Sequence, residues 1–299
     1  MIKARFAPGV AYGLFSALCV SGYLTVNKYI YGHYPISAFQ YSMLFAVMGG
    51  LYALISLLAR SNKETYKAIQ SNLGPLILLS LAGFLSVSIF IFGLRYTTAV
   101  NAALLITSTI VATSLFAYVL LGEHLTKRQL PWVAVLFIGL YIGIVGFTSI
   151  QLQKGDLIVL GSVLFFGFGN AFSRVVMRGM KQPAIVPDTR LVMGAILAAV
   201  IILFTVQDYS IYVKILPWAL LAGLFYWLCM KTFAKSVHLL NAHEAIILNN
   251  GQIFSTSLAG VVILSEPYSL DTFVGSLIVI LSIYFISIGK KTNTKPTYS

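Results

Sequence analysis

One order of features occurs twice in this chain: an apolar run, a Gly-Glu or Ser-Glu pair, a polar cap and a second apolar run, at 99–146 and again at 242–289. Sliding the sequence by 143 positions lays Ala99 on Ala242, Asn101 on Glu244, Leu105 on Leu248, Glu123 on Glu266 and Gly146 on Gly289. A looser shift of 146 lays Ser16 on Ser162 and Lys28 on Arg174. Extended to the whole chain, this predicts two copies of a five-helix pattern. The apolar runs lie at 9–29, 37–59, 74–93, 99–121, 131–148, 156–176, 187–206, 216–234, 242–264 and 272–289. Each is roughly 18 to 23 residues, long enough to cross a hydrocarbon core of about 30 Å as a helix.

The expected fold is therefore all-α and polytopic, with ten transmembrane helices. Residues 1–149 form the first repeat, 150–290 the second and 291–299 a polar cytoplasmic tail. An odd number of spans per copy inserts the two copies in opposite senses, the inverted-repeat arrangement of secondary transporters. Composition agrees: 59% of residues are hydrophobic and 9% charged, against about 25% charged in a soluble domain. The first run follows Lys3 and Arg5 but stays apolar too long for a signal peptide and lacks a small-x-small cleavage site, so it is read as helix one. Cys19 and Cys229 fall inside spans and are read as small buried apolar side chains, not as a disulfide or metal pair.

The net charge of +12 would suggest nucleic acid in a soluble protein, but here its distribution decides. With the N-terminus inside, sixteen of the twenty lysines and arginines fall on cytoplasmic segments, Arg190 among them. Only Lys28, Arg95, Lys154 and Lys214 fall outside. That is a positive-inside bias, and ten spans return the C-terminus to the cytoplasm as well. The basic loops read as topology signals, so no nucleic-acid partner is expected; the partners are the lipid bilayer and a small solute. The loops are short, and only 61–72 and the tail from Lys290 have the polarity of solvated segments. Functional residues must then lie between helices.

After Glu123 comes Thr126-Lys127-Arg128-Gln129, a capping-box spacing, and after Glu266 comes Ser269-Leu270-Asp271. Both glutamates are read as organising tight turns and helix starts rather than binding solute. The run 93–105, Gly-Leu-Arg-Tyr-Thr-Thr-Ala-Val-Asn-Ala-Ala-Leu-Leu, followed by Leu120-Leu121-Gly122-Glu123, resembles the drug/metabolite transporter superfamily, EamA type. The resemblance covers essentially the whole chain. It implies a ten-helix inner-membrane carrier with a central cavity, whose members export amino acids and other small metabolites or carry nucleotide-like solutes. Two departures stand out: Val20-Ser21-Gly22 where the family has Trp-Gly, and Ser265-Glu266-Pro267 in place of Gly-Glu-x.

Helix nine carries the clearest polar stripe. Ala245, Asn249, Gln252 and Thr256 share a face, with Asn250 beside them. Such amides either glue helices by hydrogen bonds or line a solute path, and helix nine belongs to the cavity-forming set that the resemblance implies. The repeat counterpart on helix four runs Ala102, Ile106, Thr109 and Thr113. On helix eight Trp227, Lys231 and His238 share a face, matched on helix three by Phe84, Ser88 and Arg95. An aromatic with a cation toward one end suits a solute having an apolar body and a carboxylate, although Lys231 lies where it could instead snorkel to headgroups. Asn170 with Arg174 on helix six, and Tyr23 with Asn27 on helix one, complete the candidate substrate-binding set. Gly139 with Gly143 forms a small-x-x-x-small packing face, and Gly167 with Gly169 is a candidate hinge.

Every carboxylate falls at or beyond a predicted helix end, which disfavours a cation exporter that would pair its cargo with an acid at mid-membrane. No enzyme, metal or cofactor is expected. His243-Glu244 is followed by Ile247 instead of a second zinc-ligating histidine. Gly167-Phe168-Gly169-Asn170 has an amide where an intramembrane aspartyl protease needs a carboxylate. The expected function is a secondary carrier in a bacterial-type inner (plasma) membrane, exporting amino acids or similar amphipathic metabolites. Uptake of a nucleotide-like or vitamin-like metabolite, or a non-transporting scaffold or sensor, are the other readings. Whether the chain is a monomer or a homodimer does not follow from the sequence.

The charge asymmetry generates a prediction. Single cysteines at Lys154 and Ser299, probed in intact cells with an impermeant thiol reagent, should label from outside at 154 and not at 299; external labelling at 299 would reverse the topology.

Overall fold

Helices account for almost every described residue because a chain inside hydrocarbon must satisfy each backbone N–H and C=O within the protein. The computed structural model describes residues 2–60, 63–122, 126–146, 153–178, 180, 185–240 and 242–288. In chain order the helices are α1 (Ile2–His33), α2 (Ala38–Leu58), α3 (Lys63–Ser71), α4 (Leu73–Leu94), α5 (Ala99–Ile106), α6 (Thr109–Leu121) and α7 (Leu130–Val145). The second copy has α8 (Lys154–Arg178), α9 (Val186–Thr205), α10 (Ser210–Leu239), α11 (Ala242–Asn249), α12 (Gln252–Leu264) and α13 (Leu270–Ile288). Eight segments are long and apolar enough to cross a membrane, counting 99–121 and 245–264 as one each, and α7 and α13 supply two shorter apolar helices.

Three departures from the sequence reading have physical causes. The fourth and ninth spans are each broken in the middle, into α5/α6 and α11/α12. The stretch 61–72, expected as a solvated segment, contains α3, whose Lys-Glu-Thr-Tyr-Lys-Ala run favours helix and whose first turn holds Glu64. Its Ala68 and Ile69 pack on the apolar cluster around Leu76 and Leu79. Helices α1 and α10 overrun their apolar cores at both ends, α1 continuing through Pro8 into the polar residues before it.

Packing follows the repeat. The closest pairs are α1 with α10, α4 with α8, α2 with α9 and α7 with α13. Exchanging the two copies turns the first pair into the second and returns the third and fourth to themselves. The next tier obeys the same rule, α1 with α12 mirroring α8 with α6, and α2 with α10 mirroring α9 with α4. Two mixed halves result, α1/α10/α11/α12 and α4/α5/α6/α8, each built from both copies. Face I below denotes the side on which α1 begins, and face II the side on which it ends.

Close approach at glycine seats α13 against α7. A Cβ on Gly275 of α13 would lie within hard-sphere overlap of the Gly143 backbone and 2.6 Å from the Gly139 carbonyl of α7, so the small-x-x-x-small face is a packing seam, as expected. Gly167 likewise abuts the Ala112 backbone, and α8 runs through it without interruption.

The expected caps form, with one difference in where they act. Gln129 Oε1 accepts the Thr126 backbone N–H at 2.7 Å, and Ser269 Oγ accepts that of Thr272 at 3.1 Å. Glu266, however, reaches across to the other copy, taking the Ala99 N–H at 2.9 Å and that of Val100 at 3.3 Å at the start of α5. A carboxylate on two orphan N–H groups at a helix N-terminus is doubly favoured, by hydrogen bonding and by the helix dipole. Its repeat partner Glu123 lies outside the described residues.

The cap of α6 is Gly122 at φ 67°, and the equivalent cap of α12 is Ser265 at φ 53°. The left-handed conformation is free for glycine and costs an L side chain about 1 kcal/mol. Ser265→Gly should therefore raise the melting temperature of the purified protein by up to a few degrees; an unchanged or lower value would show that the serine side chain offsets the strain.

Candidate functional site

The two mid-span breaks are equivalent under the 143-residue shift: α5/α6 part at Thr107-Ser108, and α11/α12 part at Asn250-Gly251. At the first, Thr107 and Ser108 turn their hydroxyls back onto the carbonyls of Leu104 and Leu105, both at 2.6 Å, and their N–H groups take the same i−3 carbonyls at 3.1 Å. At the second, Asn250 Nδ2 donates to the Ile246 carbonyl at 2.8 Å, while Gly251 supplies no side chain. Side chains that compete for backbone acceptors loosen a helix at that point, and a short tight turn takes its place. Different residues thus produce the same break in each copy.

The first residue after each break is polar and holds a buried oxygen that is left unsatisfied. Thr109 Oγ1 and Gln252 Oε1 have no hydrogen-bond partner among the described residues. Three further buried polar atoms share that condition: Thr25 Oγ1, Asn27 Nδ2 and Ser88 Oγ. Of these five residues, only Thr25 was absent from the sequence-predicted set.

The rest of the helix-nine stripe is tied to α1. Ser16 donates to Asn249 Oδ1 at 2.7 Å and to the Cys229 carbonyl at 3.2 Å. Ser21 contacts the hydroxyls of Ser255 and Thr256, the latter at 2.9 Å, and donates to the Gln252 carbonyl at 3.3 Å. The departure Val20-Ser21-Gly22 thereby acquires a role, since Ser21 joins α1 to α12. Asn250 is occupied by the Ile246 carbonyl of α11. Cys19 and Cys229 are both buried.

Across the bundle, Tyr23 is buried and meets Tyr226 edge-on at 5.7 Å and Phe45 at 5.9 Å, while Phe45 and Tyr226 lie 5.2 Å apart. Asn27 Oδ1 accepts the hydroxyl of Tyr41. Phe84 is buried and packs its Cβ over Gly194 of α9. Asn170 of α8 is exposed and Arg174 partly buried, so these two do not join the central residues. The His238 side chain lies outside the described residues. Its repeat counterpart Arg95 sits at face II, donating to the Tyr31 carbonyl and stacked 5.4 Å from the Tyr31 ring.

Lys231 does not snorkel to headgroups. Its ammonium pairs with Asp188 of α9 and lies 5.9 Å from the Trp227 ring. Asp188 also accepts Ser56 Oγ of α2 at 3.0 Å and Trp227 Nε1 at 3.4 Å, and its side chain is 1% exposed. The cation read from the sequence as a carboxylate binder is thus already neutralised. Asp156, in the first turn of α8, is equally buried, taking the Thr97 hydroxyl and the Gln153 N–H, the latter at 2.9 Å. Both acids stand at helix starts as expected but have no aqueous surroundings.

Sequence reasoning missed Arg190, which it assigned to the cytoplasmic charge count. The residue stands in the second turn of α9, and its side chain passes Gly83 of α4 and Gly169 of α8. The available signal was an arginine early in a mostly apolar run, just after Asp188 and Thr189. An open groove of about 480 Å³ lies elsewhere, at face II between Gln40, Gln207, Asp208 and Lys214. There the Ser210 backbone N–H, and then its hydroxyl, hold the Asp208 carboxyl below its ordinary range. No sequence-predicted site residue lines that groove.

Comparison with known proteins agrees with this geometry. The family described as "EamA-like transporter family" matches residues 7–145 and 153–288. A protein named "Uncharacterized transporter YyaM" from Bacillus subtilis (strain 168) is 28% identical over 187 residues, 60% of this chain and 61% of that protein. An "Uncharacterized transporter" from Archaeoglobus fulgidus is 23% identical over 212 residues, 70% of this chain and 67% of its own length. The chain therefore aligns with less than two thirds of the Bacillus relative. A solved structure titled "Crystal structure of protein" shares the fold with a TM-score of 0.63 at 14% identity, covering 95% of this chain and 96% of its own. With one family matched over both copies and almost the whole chain, this multi-pass membrane protein belongs to the EamA-like transporter family, within the drug/metabolite transporter superfamily.

Proposed function

We propose that the chain exports small amphipathic metabolites of amino-acid type across the plasma membrane, by alternating access between two inverted repeats. One observation carries this reading: Thr109 and Gln252, equivalent residues of the two copies, each hold a buried oxygen without a protein partner beside a mid-span break. An unsatisfied buried polar group costs about 1–3 kcal/mol, a cost recovered when water or a polar solute completes the bond. Broken helices at corresponding positions of two repeats are where carriers bind their cargo. Ser88 and Asn27 add two more open positions from α4 and α1.

The Asp188–Lys231 pair supplies a tie at face I. It joins α9 to α10, and through Ser56 to α2, so solute release on that side must move the three helices together or part them. Breaking a buried pair by removing one partner leaves the other charge stranded and costs about 3–5 kcal/mol. Asp188→Asn and Lys231→Met should each lower the melting temperature markedly, and the double variant should recover part of the loss. Additive losses would mean that the two side chains act independently.

Flux tests the proposal itself. Proteoliposomes loaded with a labelled amino-acid mixture should release it, and Gln252→Ala should cut flux per folded molecule about tenfold or more. Asn249→Ala, which removes the acceptor of Ser16, should instead reduce the amount of folded protein and spare flux per molecule. Gln252→Ala flux that falls only in step with folded protein would favour a packing role, and no flux of any metabolite would favour the scaffold.

A further inference from the structure

Arg190 is the one described basic side chain inside the bundle that lacks a use. Lys28 donates to the Leu94 carbonyl at 3.2 Å and to that of Thr97, Arg95 to Tyr31, and Lys231 to Asp188. The Arg190 guanidinium makes no hydrogen bond or ion pair with any described residue. Its position makes this expensive. The Cα stands about 6 Å into α9 by helical rise, yet the side chain points deeper rather than out to the headgroups. A Cβ on Gly83 would overlap Arg190 Nε, and a Cβ on Gly169 would stand 3.6 Å from one terminal nitrogen. Both glycines are about 14 Å from the face I ends of their helices, close to the midplane of a core about 30 Å thick.

A guanidinium held at that depth is stable only against water or an anion. Two features mark the place as built for it. The missing side chain of Gly83 leaves space that Arg190 fills, and Tyr226, its electrostatic neighbour, belongs to a ring wall packed with Tyr23 and Phe45. The site also lies where the mixed halves meet, Gly83 and Gly169 from one and Tyr226 from the other.

We propose that Arg190 is the anion anchor of the transport site and that the solute is a monocarboxylate with an apolar or aromatic body. The proposal rests on the carrier reading above. A planar guanidinium grips a carboxylate through two parallel hydrogen bonds. One unpaired cation matches one negative charge; a phosphate dianion would remain half uncompensated, because the neighbouring Lys231 is already spent on Asp188. The ring wall takes the apolar part.

The test uses the full-length protein in detergent, with melting temperature followed against phenylacetate, phenylalanine and hexanoate, their neutral amides, and phenyl phosphate. At least one carboxylate should stabilise the wild type while its amide does not. Arg190→Gln should raise the half-saturating concentration about tenfold or more, and Arg190→Lys should fall between, keeping the charge but losing the fork. Without ligand, Arg190→Gln should melt no lower than wild type, since it removes an unpaired charge. The proposal is overturned by any of four results: no carboxylate response in the wild type, an equal response in Arg190→Gln, stronger stabilisation by phenyl phosphate, or a clearly lower ligand-free melting temperature. Arg190-dependent binding without flux in proteoliposomes would sink the carrier reading and leave the site standing. Flux of neutral solutes unchanged by Arg190→Gln would do the reverse.

Discussion

Hydrocarbon offers a polar group no partner, so each one buried in this bundle must find its bond within the protein. Most do so locally. Ser80, Ser162, Ser257 and Ser282 return their hydroxyls to a carbonyl one turn back, and Lys28 and Arg95 spend their charge on carbonyls near face II. Asp156, Asp188 and Glu266 take hydroxyls, backbone N–H groups or a lysine. Against that background the short remainder is informative. Thr25, Asn27, Ser88, Thr109 and Gln252 each leave one atom open, and Arg190 leaves its whole guanidinium. These residues come from α1, α4, α6, α9 and α12, so the unsatisfied chemistry is drawn from both mixed halves.

The repeat fixes architecture but not chemistry. Thr109 and Gln252 are equivalent, as are Phe84 and Trp227, Ser88 and Lys231, and Gly122 and Ser265. In each pair the backbone role is kept while the side chain differs. A symmetric scaffold lets both access states use the same packing in mirrored form, whereas a solute with distinct ends needs unlike contacts. The larger polar residues, Gln252 and Lys231, both fall in the second copy.

Spans, caps and packing seam were legible because they depend on local pattern: apolar length, Thr126 with Gln129, Ser269 before Thr272, Gly139 with Gly143. What escaped depended on contacts distant in sequence. Thr107-Ser108 hardly changes the apolar count of its run, and Asn250-Gly251, a turn dipeptide, was read only as part of a polar stripe because the run around it is long and apolar. Glu266 could be read as a capping acid, but not as the cap of α5 in the other copy. Lys231 looked free because its partner Asp188 is 43 positions away. Arg190 counted as a topology charge because helical position alone does not say whether a long side chain turns outward or inward. The polar positions on α1, α4, α6 and α12 were legible in the sequence, while their division into satisfied and open groups required the fold.

Inverted repeats suggest one copy rocking against the other, but the contacts here argue for a different moving unit. Every one of the closest helix pairs joins one copy to the other, so separating the copies would tear the densest packing. The mixed halves α1/α10/α11/α12 and α4/α5/α6/α8 meet more sparsely, and at face II polar ties join them. Tyr31 donates to the Ile91 carbonyl at 2.8 Å, Lys28 to Leu94, Arg95 to Tyr31, and Glu266 caps α5. Hydrogen bonds of this kind exchange readily for water at a membrane surface at little net cost, whereas interlocked glycine seams do not. Alternating access in this chain is therefore best served by opening the polar ties at one face while α2/α9 and α7/α13 hold the halves together. Arg190, on α9 between the two halves, is then placed to keep hold of a bound anion whichever face is open.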